Sequence, residues 1–141
     1  MDVPESEQKE FMFKNLIGIP FEYGKMDCWN LAIEVFKRYS IDIPKYNVAR
    51  AAVGKYNLEK ISDEMEAKTN EWIECKEPSI PCIIAISLGV PGFINHVGVY
   101  IGNGRFIHTT NRIGSVTIER LSNPIYANRK YYTFNSDYRP V

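Results

Sequence analysis

The apolar positions of this chain change period near residue 82, from a helical spacing to a strand spacing. Upstream, Leu31, Ala32, Val35, Phe36 and Tyr39 recur on one face of an α-helix. Asp27 stands just before this run and is a good N-cap, because its carboxylate can accept from a backbone N–H that the first turn leaves unpaired. Ile41-Asp42-Ile43 leads into Pro44 and stops the helix, since the residue before a proline is pushed toward extended backbone. A shorter helix is expected over Glu7 to Leu16, anchored by Phe11 and Leu16 and ended by Gly18-Ile19-Pro20. A turn-rich stretch with Gly24 follows, from Phe21 to Met26. Residues Val48 to Glu66 read as one or two amphipathic helices.

Downstream the reading is β. Trp72 to Cys75 predicts a short strand and Cys82 to Leu88 a buried one. His96 to Ile101 is rich in β-formers, and Arg105 to Thr110 is its hairpin partner across Gly102-Asn103-Gly104. Ser115 to Arg120 and Lys130 to Asn135 predict two more strands. Helices first and an antiparallel sheet second define an α+β fold, and 141 residues fit a single domain over residues 1–141.

Charge and composition narrow the function classes. Lys plus Arg equals Asp plus Glu at 17 each, and no basic run is longer than two residues, as at Arg129-Lys130. A nucleic-acid partner is therefore not expected. The start, Met1-Asp2-Val3-Pro4-Glu5-Ser6-Glu7, has neither the basic nor the apolar segment of a secretory signal, so cytoplasmic synthesis is expected. The apolar stretch from Ile83 to Leu88 is too short to span a bilayer, so membrane insertion is not expected. The three cysteines, Cys28, Cys75 and Cys82, do not form a disulfide framework or a zinc motif, and reduced thiols are expected. No cofactor or metal is implied.

Candidate chemistry centres on Cys28, one residue after the N-cap. The helix dipole there is expected to lower its thiol pKa toward neutrality, and the first-turn N–H groups can stabilise an oxyanion. Alone, such a cysteine is more readily structural, because buried cysteines are common. The chain's two histidines, His96 and His108, both lie on the hairpin, and a cysteine nucleophile needs a base and an orienting partner. Their faces depend on register. A two-residue Asn103-Gly104 turn pairs Gly102 with Arg105, sets His108 opposite Val99, and splits the rings between two faces. A three-residue loop with a left-handed Gly104 bulge sets His108 opposite Gly98, and the rings become diagonal neighbours on one face. The sequence permits both registers; only the second gives the pair a chemical use.

These residues carry a family resemblance. Gly18-Ile19-Pro20-Phe21-Glu22-Tyr23-Gly24 and Asp27-Cys28-Trp29-Asn30-Leu31 resemble the nucleophile segment of the NlpC family of cell-wall cysteine peptidases. The segment from His96 to His108 resembles that family's base segment. The tryptophan after the cysteine and the stretch Ser115 to Leu121 are most similar to members found in phage tail assemblies. The resemblance covers roughly residues 15–45 and 82–134. It implies a papain-like fold with Cys28 as nucleophile, His96 as base and His108 as orienting residue. The implied substrate is peptidoglycan stem peptide, with phage tail proteins as further partners and delivery to a virion or the cell wall.

Asp27, Trp29, Phe21 and Tyr23 would then border the substrate. Asp27 serves equally well as an N-cap alone, and Trp29 and Phe21 as core or groove wall. The chain departs from the common pattern at Phe21 (often Tyr), Lys25 (often Gly), Trp29 (often Ser) and Pro81-Cys82 (often Gly-Asp). The departures leave the Cys–His–His set intact and bear on specificity. Two alternatives share the scaffold: a non-catalytic structural component of a tail or secretion assembly, and an acyltransferase or deamidase.

Overall fold

A computed structural model describes residues 12–45, 71–89 and 96–135 of the chain. The helix expected over 48–66, the first part of the one expected over Glu7 to Leu16, and Asn95 lie outside the described residues; residues 13–18 form turns, so the first helix does not continue to Leu16. Helix α1 runs from Cys28 to Arg38, capped by Asp27 and followed by Tyr39 at its C-cap. Its buried side chains, Cys28, Trp29, Leu31, Ala32, Val35 and Phe36, are one face of the expected stripe extended into the first turn.

Six strands follow: β1 (Trp72–Cys75), β2 (Cys82–Ile86), β3 (His96–Gly102), β4 (Arg105–His108), β5 (Thr117–Arg120) and β6 (Arg129–Phe134). They form one sheet in the order β1-β6-β2-β3-β4-β5, antiparallel throughout. A 3₁₀ turn, Pro124–Tyr126, precedes β6. The α+β architecture expected from the pattern is the one observed.

Central β2 is buried at every position, because both faces of the sheet are covered. Ile83 and Ala85 join Val97, Val99, Ile107 and the α1 face in one apolar cluster. Ile84 and Ile86 join Phe106, Leu121 and Tyr126 in a second cluster on the opposite face. The helix side is anchored by Trp29, Phe36 and Trp72, whose rings meet edge to face at 6.0 and 6.2 Å. Each such fully buried side chain contributes about 1.5–3 kcal/mol. Packing of this face, rather than intrinsic propensity, therefore holds so short a helix in place.

The hairpin resolves the register question by combining the two readings. Asn103 and Gly104 have φ of +55° and +70°, the paired positive values of a two-residue type I′ turn, and Gly102 pairs with Arg105. This much follows the first register. A bulge between Tyr100 and Gly102 then shifts β3 by one residue, so Tyr100 faces Phe106 and Val99 faces Ile107. The extra residue is Ile101, not Gly104. Gly102 has φ of +100°, a conformation open to glycine, and it lets the chain recover from the bulge into the turn. Continuing the ladder sets His108 opposite Gly98, the shared-face arrangement of the second register.

Gly98 also makes space. A Cβ built on it would lie 2.6 Å from Phe106 Cδ2 and 3.2 Å from His108 Cβ. Gly98→Ala is expected to force Phe106 and His108 off the sheet and to destabilise the fold by about 1–3 kcal/mol. Urea unfolding of the variant beside wild type measures this; an unchanged midpoint at unchanged slope would show that the contact yields freely.

Candidate active site

Cys28 is held at the helix start by its neighbours. Asp27 accepts from Asn30 N–H at 2.9 Å with one carboxylate oxygen and from Gly24 N–H at 2.8 Å with the other. The first bond caps α1; the second ties down the tight turn closed by the Glu22–Met26 bridge. The loop before it is stitched to the segment leading into β5. Gly18 N–H donates to Val116 C=O, Val116 N–H to Ile19 C=O, and Phe21 N–H to Gly114 C=O, each at 2.9 Å.

The Cys28 thiol enters from the helix side and is 5% exposed. Backbone N–H groups of Val97, Trp29 and Cys28 itself bear on it, so it lies against the start of β3, one residue beyond His96. Burial nevertheless pushes its pKa well above the ordinary thiol value, with the Asp27 carboxylate adding to the rise. The lowered pKa expected from the helix terminus is thus corrected. Three N–H groups favour the thiolate, but losing water costs more, and the N-cap itself is an anion.

The two histidines lie on the other face, where His96 sits opposite Ile86. They are 2% and 1% exposed. His96 Nε2 and His108 Nδ1 share a hydrogen bond of 2.7 Å, and the ring centroids are 5.0 Å apart. Desolvation, then the neighbouring ring, pushes the pKa of His96 down to about 3. That of His108 is also lowered by burial, with Glu119 opposing. Both imidazoles are thus held toward the uncharged form, and the bond to His108 occupies His96 Nε2 and leaves Nδ1 as its other ring nitrogen.

Beyond His108 the structure adds two residues that the sequence did not single out for chemistry. His108 Nε2 is hydrogen-bonded to Glu119 Oε2 on β5, and the Tyr126 hydroxyl donates to the same oxygen at 2.5 Å. Phe106 packs on the His108 ring at 4.3 Å and Tyr126 meets it edge-on at 5.7 Å. Tyr126 lies on the 3₁₀ turn and ends this run of hydrogen bonds. The available signal was the alternation of β5, which puts Glu119 across from Phe106 and so on the histidine face.

The residues expected to border substrate divide. Trp29 is 1% exposed, and its indole N–H donates to Pro44 C=O at 2.9 Å; it is core, with no surface to offer a ligand. Asp27 is buried with both oxygens occupied by backbone, as an N-cap requires. Phe21 and Tyr23 are half-buried and meet edge to face at 4.8 Å, so they keep surface beside the Cys28 loop. Cys75 and Cys82 are free thiols. Among the described residues no three or more His, Cys, Asp and Glu side chains are grouped to hold a metal, and no helix is long and apolar enough to cross a membrane.

This geometry, a cysteine at a helix start beside a β-hairpin carrying linked imidazoles, defines the class, and sequence comparison agrees. The NlpC/P60 family profile matches residues 18–134, and the chain belongs to that family, whose members are cysteine peptidases and amidases. The fold is similar to NlpC2 from Trichomonas vaginalis (TM-score 0.58, 20% identity), covering 94% of this chain and 50% of that one. It is similar to a lipoprotein-like NLP/P60 family protein from Staphylococcus aureus (TM-score 0.58, 14% identity), covering 97% of this chain and 43% of that one. It also resembles the NlpC/p60 domain of the peptidoglycan hydrolase SagA (TM-score 0.53, 17% identity), covering 94% and 100%. The chain thus spans about half the length of the first two. No curated protein sequence matches it.

The neutral imidazoles make a prediction about stability. Unfolded histidines take up protons below about pH 6.5, whereas folded His96 resists protonation down to about 3. Its contribution is complete above pH 6.5 and drains away as pH falls toward 3, at about 1.4 kcal/mol per pH unit for a full proton difference. Urea midpoints measured from pH 7 to 4 should fall, and His96→Asn should flatten the decline; equal slopes in both proteins would contradict a buried neutral ring.

Proposed function

We propose that the protein is a cysteine-nucleophile amide hydrolase, with Cys28 as nucleophile, His96 as general base and His108 as orienting residue. The observation that carries this is the 2.7 Å bond between His96 Nε2 and His108 Nδ1. It turns His96 Nδ1 into the working nitrogen of a ring that starts the strand against which the thiol lies.

Both members of the pair rest uncharged, so attack is coupled to proton transfer rather than preceded by a thiolate–imidazolium ion pair. The Cys28 proton moves to His96 Nδ1 as the S–C bond forms at the amide carbonyl. Backbone N–H groups near the sulfur supply donors for the resulting oxyanion. Collapse breaks the C–N bond, and His96 returns the proton to the departing amine. Water then attacks the thioester, giving its proton to His96. The S–C bond breaks, the acid leaves, and Cys28 is a thiol again.

The substrate class is peptidoglycan stem peptide. Membership of the family supports it, as does likeness to a domain of a peptidoglycan hydrolase. An origin among phage or prophage tail components rests on Trp29 after the cysteine and on the stretch Ser115 to Leu121. Phe21 and Tyr23 form the proposed substrate wall; Asp27 and Trp29 act by holding the loop and core.

Digestion of purified muropeptides, with mass analysis of the products, tests the reading. Cys28→Ala should abolish turnover while keeping the urea midpoint within about 1 kcal/mol of wild type. His96→Ala should lose nearly as much activity, and His108→Ala less, because an orienting group is partly replaceable. Full activity in His96→Ala would remove the general base, and hydrolysis by Cys28→Ala would remove the nucleophile.

A further inference from the structure

We propose that Glu119 is a positioning residue that fixes the direction in which protons run through the two imidazoles, with the Tyr126 hydroxyl holding its carboxylate in place. The catalytic consequence rests on the acyl-transfer reading above; the positioning itself does not.

The argument follows donors and acceptors from the outer end inward. The Tyr126 hydroxyl donates to Glu119 Oε2. A carboxylate only accepts, so the nitrogen facing it, His108 Nε2, must carry the hydrogen. A neutral imidazole has one N–H, so His108 Nδ1 is then a bare lone pair. The 2.7 Å contact with His96 Nε2 therefore needs its hydrogen on His96. That assignment leaves His96 Nδ1 unprotonated, which is the state a general base for Cys28 requires. One carboxylate thus sets both tautomers. When His96 accepts the thiol proton, the same anion faces the positive charge through His108, in an apolar surround of Phe106, Ile84 and Ile86.

The placement suits this role. His108 is 1% exposed, whereas the Glu119 side chain is 32% exposed and lines a surface groove with Ile17, Arg105, Thr117 and Arg120. The carboxylate thus stands at the boundary between the buried rings and solvent. His108 and Tyr126 are the titratable groups bonded to it, and Arg105 and Arg120 line the same groove.

The chain has only two histidines, so long-range ¹H–¹⁵N correlations of the labelled imidazoles at pH 7 read the tautomers directly. Wild type should show both rings neutral, each with Nε2 protonated and Nδ1 bare. Glu119→Ala should mix or reverse the His108 tautomer and carry His96 with it. On muropeptides its kcat should fall about a hundredfold with KM within about twofold, the upper part of the range for orienting partners. Glu119→Gln keeps an acceptor oxygen but no charge. It should keep both tautomers and lose roughly tenfold in kcat. Glu74→Gln, an exposed control on β1 at the far edge of the sheet, should change neither reading. His108 protonated on Nδ1 in wild type would overturn the proposal, as would unchanged tautomers in Glu119→Ala. The expected tautomers in a wild type that hydrolyses no muropeptide would uphold the positioning role and defeat the proposed function instead.

Discussion

The site hangs on one hydrogen bond, the 2.7 Å contact between two imidazoles buried on the same face of a β-hairpin. It exists only because His108 lies diagonally from His96, and that depends on a single inserted residue. Side chains alternate along a strand, so a one-residue slip would send one ring to the helix side of the sheet and leave the other without its partner. The bulge at Ile101 corrects the register that the turn alone would set and brings both rings to one face, and Gly98 leaves the space into which Phe106 and His108 pack. A buried polar group left unpaired costs about 1–3 kcal/mol. The register is therefore held by the rings themselves as well as by the turn.

Burial has a second consequence. Thiol and imidazole are both nearly dry, and each is pushed toward its uncharged form. A helix N-terminus alone contributes about 0.3–1 kcal/mol, up to about 2 in partly buried settings, less than the loss of hydration that several kcal/mol per buried ion represents. A resting ion pair is thus disfavoured. In the proposed reaction, charge separation is then sustained by groups already in place: N–H donors around the sulfur and Glu119 behind the second ring.

Much of this was legible in the sequence. The periodicity from Leu31 to Tyr39 located α1, and Asp27 marked its start. The β-rich runs located all six strands, because strongly patterned segments report their own secondary structure. Cys28, His96 and His108 were visible from their rarity and their positions on these elements. What stayed hidden depends on partners far along the chain. Asn103-Gly104 signals a two-residue turn, and it is one; the bulge beside it is set by tertiary packing that no local motif announces. The Cys28 pKa was misread because dipole logic is local, whereas desolvation is a property of the finished fold. Trp29 read as a groove residue until Pro44 and Trp72 enclosed it. Glu119 looked like an ordinary strand glutamate, since its meaning comes from pairing across to Phe106 and from a tyrosine on the following turn.

The Cys28 loop and the Glu119 strand are also joined through the backbone. The loop that leads to Cys28 is bonded at Gly18, Ile19 and Phe21 to Gly114 and Val116, residues that open directly into β5 and Glu119. Pro20 and Ser115 form the bridge at the centre of this seam. Proline removes a donor there, so the contact relies on its flanking residues, which supply the three bonds. A displacement of β5 would therefore move the thiol loop along with the carboxylate. The loop that carries Cys28 and the strand that carries Glu119 are thus tied to each other by backbone hydrogen bonds. That is how four side chains from three separate segments are kept in register.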